Sequence, residues 1–95
     1  MQTIIVTGGA GFIGANFVRY ALAKTDAKLV IVDKLTYAGN LASLENELKD
    51  PRVHFVEGDI ANQNVMQSVF LEHQPTAVVN FGTKVIDLKS WLKLS

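Results

Sequence analysis

Ninety-five residues with nine basic side chains, nine acidic ones and no cysteine amount to one small domain or a piece of a larger one. The balanced charge offers no global field for nucleic acid or an anionic membrane, and the missing cysteine excludes disulfide scaffolds and thiolate metal sites. A hydrophobic share of 48% excludes disorder. No apolar run approaches the roughly 18 residues of a membrane span.

Thr3–Thr7 is an apolar, β-branched run of strand length. It leads into Thr7-Gly8-Gly9-Ala10-Gly11-Phe12-Ile13-Gly14, where Gly8, Gly11 and Gly14 recur every third residue. Between a strand and a helix this is the spacing of a dinucleotide-binding turn. Gly8 makes the tight turn, Gly11 leaves room for a pyrophosphate and Gly14 lets the helix pack on the strand. The plain alternative is a glycine-rich turn with no ligand. Phe12–Lys24 reads as an amphipathic helix with Ile13, Phe17, Tyr20 and Ala21 inward. Tyr20 to Lys24 spells Tyr-x-x-x-Lys. At 1.5 Å per residue, however, it sits roughly 13 Å from the phosphates, so Tyr20 is expected in the helix–sheet packing.

Leu29–Val32 is the second strand, and Asp33 ends it 19 positions after Gly14. An acid at that offset hydrogen-bonds the adenosine ribose, and it repels a 2′-phosphate. NAD is therefore expected over NADP, with Lys34 beside the acid softening the preference. Leu41–Leu48 carries Leu41, Leu44 and Leu48 at helical spacing and is stopped by Asp50-Pro51. Val53–Val56 is a strand interrupted by His54. Gly58-Asp59-Ile60 follows it, at the sheet edge where ligands bind. Asp59 there either accepts from an adenine amino group or caps the next helix, a role Asn62 fits equally. Asn62–His73 is a helix with Val65, Val69 and one of Met66 or Phe70 inward, closed by Pro75. Ala77–Phe81 is a fourth apolar strand.

Strands alternating with helices at these lengths predict right-handed βαβ units. The expected architecture is α/β: a partial Rossmann-type, doubly wound parallel sheet of about four strands in order 3-2-1-4. Strand 77–81 is then an open edge, a place for self-association. His54 and His73 have no acidic or cysteine partner at metal-ligand spacing, so no metal site is expected. Asn80 is expected to bond within its loop rather than to a cofactor. The N-terminus does not read as a signal peptide, and a soluble cytoplasmic protein is the expectation.

Residues 1–81 resemble the N-terminal part of the extended short-chain dehydrogenase/reductases. The glycine stretch Thr7–Gly14 is shared across that group. Asp33-Lys34-Leu35-Thr36-Tyr37-Ala38-Gly39-Asn40 is more specific and is similar to the dTDP-glucose 4,6-dehydratase family. Glu57-Gly58-Asp59-Ile60, His73-Gln74-Pro75 and Val78-Val79-Asn80-Phe81 resemble it too. The resemblance implies NAD as cofactor, with the Phe12 and Ile13 amides on the pyrophosphate. It also implies Asp33, Lys34 and Thr36 around the adenosine ribose, and Asp59 with Ile60 at the adenine. For a full-length member it implies a lyase that oxidises the sugar at C4, eliminates water across C5–C6 and reduces C6.

After Phe81 the resemblance stops. The family pattern continues Ala-Ala-Glu-Ser/Thr-His, whereas this chain reads Gly82-Thr83-Lys84-Val85-Ile86-Asp87 and ends at Ser95. The family's catalytic Tyr-x-x-x-Lys, its Thr-Asp-Glu group and its sugar-nucleotide domain lie beyond that point, so no catalytic residue is assigned. A neighbouring reading frame of codons for Thr83–Ile86 spells Glu-Ser-His, so residues from about 82 onward are expected to be an altered reading of a longer gene. Within residues 82–95, Val85, Leu88 and Leu92 recur at helical spacing beside Trp91, compatible with an amphipathic tail helix.

Overall fold

Two β-branched runs with no polar alternation need cover on both faces, and they find it in the middle of a parallel sheet. The computed structural model describes residues 2–8, 12–34 and 45–81. Over these the elements are β1 (Thr3–Thr7), α1 (Phe12–Lys24), β2 (Lys28–Asp33), a 3-10 turn (Glu47–Lys49), β3 (Val53–Glu57), α2 (Gln63–His73) and β4 (Ala77–Asn80). The sheet is parallel throughout, in the order β3-β2-β1-β4, as predicted. Thr3 to Thr7 pair with Lys28 to Val32, and Thr7 also stands beside Asn80. The strand bounds agree with those read from the sequence to within one residue.

The two helices cover opposite faces. Ile4, Val6, Leu29, Ile31 and Val53 meet Ala15, Val18 and Ala21 of α1. Ile5, Val30 and Val32 meet Met66 and Val69 of α2, with Val65 and Phe70 packed around them. The central strands β1 and β2 are accordingly buried on both sides, while β4 is half-buried along its length.

One sequence expectation for α1 is wrong. Ile13 is 70% exposed and Tyr20 61% exposed; Tyr20 takes no part in the helix–sheet packing. The buried stripe is Gly14, Ala15, Val18 and Ala21, about one residue further round the helix than the bulkier side chains suggest. Small residues let the helix lie close to the sheet, which outweighs the transfer gain from a tyrosine. A second correction concerns Leu41–Leu48. Residues 41–44 lie outside the described part, and 45–49 form a turn and the single 3-10 turn rather than a helix. Leu48 still packs against the α1 face. The expected tail helix also lies outside the described residues.

Arg52 ties these layers together. Its guanidinium donates to the carbonyls of Thr25 (2.7 Å) and Leu22 (2.9 Å), the open C-terminal acceptors of α1. Asp50 holds the guanidinium at 3.3 Å and also accepts the Arg52 backbone N–H at 2.9 Å. That amide, then the guanidinium, keeps the Asp50 carboxyl below its ordinary pKa.

Helix α2 has a cap at each end. The Asn62 carboxamide accepts the Val65 N–H at 3.2 Å. Gln74 closes the helix with a left-handed backbone, φ 47° and ψ 60°, its N–H on the Phe70 carbonyl. Glycine adopts that conformation without penalty. Asn62→Ala is expected to lower unfolding free energy by about 1 kcal/mol, and Gln74→Gly to raise it by less than ~1 kcal/mol; urea titration checks both.

His73 lies at the amino-end edge of the sheet, on the α2 face. Its ring centroid is 5.4 Å from that of His54, its Nε2 is 2.8 Å from Glu72 Oε2, and its buried Nδ1 has no hydrogen-bond partner. Burial, then the charge of Lys28, depress its pKa below the ordinary histidine value; His54 adds to this and Glu72 opposes it. The unfolded chain therefore takes up the proton first. Stability is expected to be complete above about pH 6.5 and to fall as the pH drops towards the depressed value. Unfolding curves between neutral and mildly acidic pH check this, and His73→Gln is expected to flatten the slope.

Candidate functional site

The parallel sheet brings the carboxyl ends of all four strands to one edge, and the polar residues of the sequence motifs gather there. Gly8 follows β1 with φ 73°, a conformation that only glycine adopts readily. Its N–H donates to the Val32 carbonyl at 3.0 Å, so the turn leaves β1 while still bonded to β2. Helix α1 opens at Phe12, and the N–H groups of its first turn, which have no carbonyl partner within the helix, carry the positive end of the helix dipole. Gly14 is buried one turn in. Gly11 and Thr36 lie outside the described residues, as does the side chain of Phe12.

Asp33 is the last residue of β2 and only 5% exposed. Its carbonyl accepts the Gly58 N–H at 3.0 Å, which joins the ends of β2 and β3. Lys34 follows, and its Nζ lies 3.1 Å from Asp59 Oδ2. The other Asp59 oxygen accepts the Ala61 N–H at 2.8 Å. Asp59 thus caps the turn, and the N-cap of α2 falls to Asn62. Ile60 packs on the α2 face of the core. Gly58 fits closely here: a Cβ would stand 3.0 Å from Val65 Cγ1.

On the far side of β1, the buried Thr7 hydroxyl donates to Asn80 Oδ1 at 2.6 Å. Phe81 N–H donates to the Thr7 carbonyl at 2.8 Å, and the Phe81 ring packs at 5.3 Å from that of Phe17. Asn80 thus accepts a bond across the sheet from a strand 73 residues away. Sequence reasoning missed Thr7; nothing near it in the chain identifies its partner. The strand order reverses between β1 and β4, and in doubly wound sheets that is the position at which ligands bind.

Residues 4–93 match the profile of the NAD dependent epimerase/dehydratase family. The chain belongs to that family. Within it, the chain is similar to the dTDP-glucose 4,6-dehydratase of Neisseria meningitidis serogroup B, at 44% identity over 84 residues, 88% of this chain and 24% of the relative. It is 46% identical over 81 residues to the Shigella flexneri enzyme of the same name, covering 85% of this chain and 22% of that one. The solved dTDP-glucose 4,6-dehydratase of Bacillus anthracis, in complex with NAD, superposes with a TM-score of 0.86 at 37% identity, covering 99% of this chain and 33% of that structure. A Streptomyces venezuelae dTDP-glucose 4,6-dehydratase structure with NAD bound gives a TM-score of 0.78 at 37% identity, over 94% of this chain and 29% of that one. The chain therefore spans about a quarter of the length of the curated relatives it matches.

Among the described residues no helix is long and apolar enough to cross a membrane, and no three histidine, cysteine or acidic side chains gather as a metal site. In this family member the Thr7–Asn80 bond joins the carboxyl ends of β1 and β4. Thr7→Val removes the donor and leaves the Asn80 oxygen without it, so a loss of about 1–2 kcal/mol is expected. Thr7→Ser is expected to retain most of that stability; urea unfolding of the two variants separates the hydroxyl from the packing.

Proposed function

We propose that residues 1–81 form the adenosine and pyrophosphate half of an NAD site, with 82–95 a divergent tail, in a protein related to dTDP-glucose 4,6-dehydratases. The observation that carries this reading is one of placement. The left-handed Gly8 turn, the N-terminus of α1 and the buried Asp33 carboxylate stand on adjacent strands at one sheet edge. These residues fit a dinucleotide: a turn without a Cβ, backbone N–H donors for phosphate, and a carboxylate for the ribose. The complexes of similar dehydratases with NAD support the same choice.

In this reading Gly8 makes the tight turn, Gly11 leaves space for the pyrophosphate, and the Phe12 and Ile13 amides donate to it. Gly14 keeps α1 close to the sheet. Asp33 accepts from the ribose hydroxyls, with Lys34 and Thr36 beside it. Asp59 and Ile60 border the adenine. NAD, when bound, supplies the hydride acceptor; no residue of the chain is assigned as a general acid or base for a dehydration. In a longer protein of this kind the reaction would be loss of water from dTDP-glucose to give the 4-keto-6-deoxy sugar. A cytoplasmic location belongs to the same reading, and the cysteine-free sequence is compatible with it.

A second reading is a self-associating module. It rests on β4, which among the described residues pairs on one side only, with β1. Size-exclusion chromatography separates the two: a monomer that binds NAD favours the first.

Thermal unfolding of the 95-residue chain with NAD+ or NADP+ tests the cofactor reading. NAD+ at a hundred times its Kd is expected to stabilise by about 2.7 kcal/mol, with a smaller effect of NADP+ at equal concentration and no turnover of dTDP-glucose. No shift with either cofactor overturns the reading.

A further inference from the structure

Lys34 poses a problem for cofactor choice. It directly follows Asp33, and a cation beside the ribose-binding acid is what accommodates the 2′-phosphate in NADP-binding sheets. An unrestrained lysine there would work against the discrimination that Asp33 provides. In the structure the lysine is restrained. Its Nζ lies 3.1 Å from Asp59 Oδ2, across the sheet edge on the turn that follows β3. That carboxylate is itself anchored, because its second oxygen accepts the Ala61 N–H at 2.8 Å. Gly58 N–H on the Asp33 carbonyl fixes the distance between the two strand ends. Among the described residues at this edge, Asp33, Asp59 and Glu57, which stands in register with Asp33, outnumber Lys34, so the local charge is negative, the wrong sign for a 2′-phosphate.

We propose that Asp59 determines cofactor specificity through Lys34: it draws the ammonium towards β3, away from the ribose 2′ position, and so secures the preference for NAD. The inference rests on the NAD reading of this site. Asp59 acts as a positioning residue on the lysine, in addition to bordering the adenine. The pair is partly exposed, 46% for Lys34 and 31% for Asp59, so the effect is modest and weakens with salt.

The test measures NAD+ and NADP+ affinity of the full 95-residue chain by calorimetry at low ionic strength. Asp59→Asn keeps the acceptor for the Ala61 N–H and removes the charge. It is expected to raise affinity for NADP+ relative to NAD+ by about two- to five-fold, and added salt is expected to shrink that gain. The double variant Asp59→Asn with Lys34→Gln is expected to lose it. An unchanged ratio in Asp59→Asn, or a gain that survives in the double variant, overturns the proposal while the NAD reading stands. No NAD+ binding by the unsubstituted chain overturns both. Should Asp59→Asn fail to fold, Lys34→Gln alone decides: a proportionate change for both cofactors supports the restrained lysine. A selective loss of NADP+ affinity shows that Lys34 already reaches the phosphate and overturns it.

Discussion

The register between β1 and β2 is the constraint on which the rest of the structure depends. Ile5, Val6 and the run Leu29 to Val32 have no exposed surface, and each large side chain so buried contributes about 1.5–3 kcal/mol. A strand with one polar face resists slippage, because a one-residue shift would turn that face into the core. These strands lack that safeguard, being apolar on both faces. Their register is held instead by their ends. Lys28 and Asp33 bound β2, the Gly8 N–H reaches the Val32 carbonyl, and the Thr7 hydroxyl meets Asn80 across the sheet. Such bonds lie at both ends of the strands, with the Lys28 N–H on the Gln2 carbonyl at the amino end, and those at the carboxyl end lie where the site is assembled. A slip that left the core equally apolar would still separate Gly8 from Asp33.

Legibility from sequence follows the range of the interaction concerned. The four strands and their order were readable, because buried parallel strands appear as continuous β-branched runs and right-handed crossovers leave few arrangements. Helix α2 was readable for similar reasons, with Met66 and Val69 on its buried face and Asn62 at its start. The facing of α1 was legible in part: Phe17 and Ala21 pack towards the sheet as read, but Ile13 and Tyr20 point away, and the sheet accepted Ala15 and Val18 instead. Close packing against a flat surface selects small residues, and periodicity does not weigh size. At the candidate site, the Gly8 turn and the place of Asp33 at the end of β2 were legible, because each follows from local backbone form or strand position. The Thr7–Asn80 bond and the Lys34–Asp59 pair were not, since the first joins residues 73 apart and the second joins turns on different strands. Gly11 and Thr36 stay expectations from the motif.

Backbone amides can serve as a phosphate cradle only if the helix carrying them keeps its place. Helix α1 reaches the proposed site at Phe12 and is anchored at its other end, where Arg52 bonds the Leu22 and Thr25 carbonyls. The guanidinium supplies positive charge at the negative pole of the helix and satisfies acceptors that the last turn leaves open. Arg19, 3.4 Å from Glu47, adds a second tie to the segment that leads into β3. Being exposed on one side, that ion pair contributes little to stability; the two charge-assisted bonds from Arg52 contribute more. Phe17 against Phe81 then sets the third contact, between the helix and the end of β4. The helix is thus held by β3 at its foot and by β4 near its middle. Those are the outer strands of the sheet, so the orientation of the α1 N-terminus reports on the assembly of all four strands.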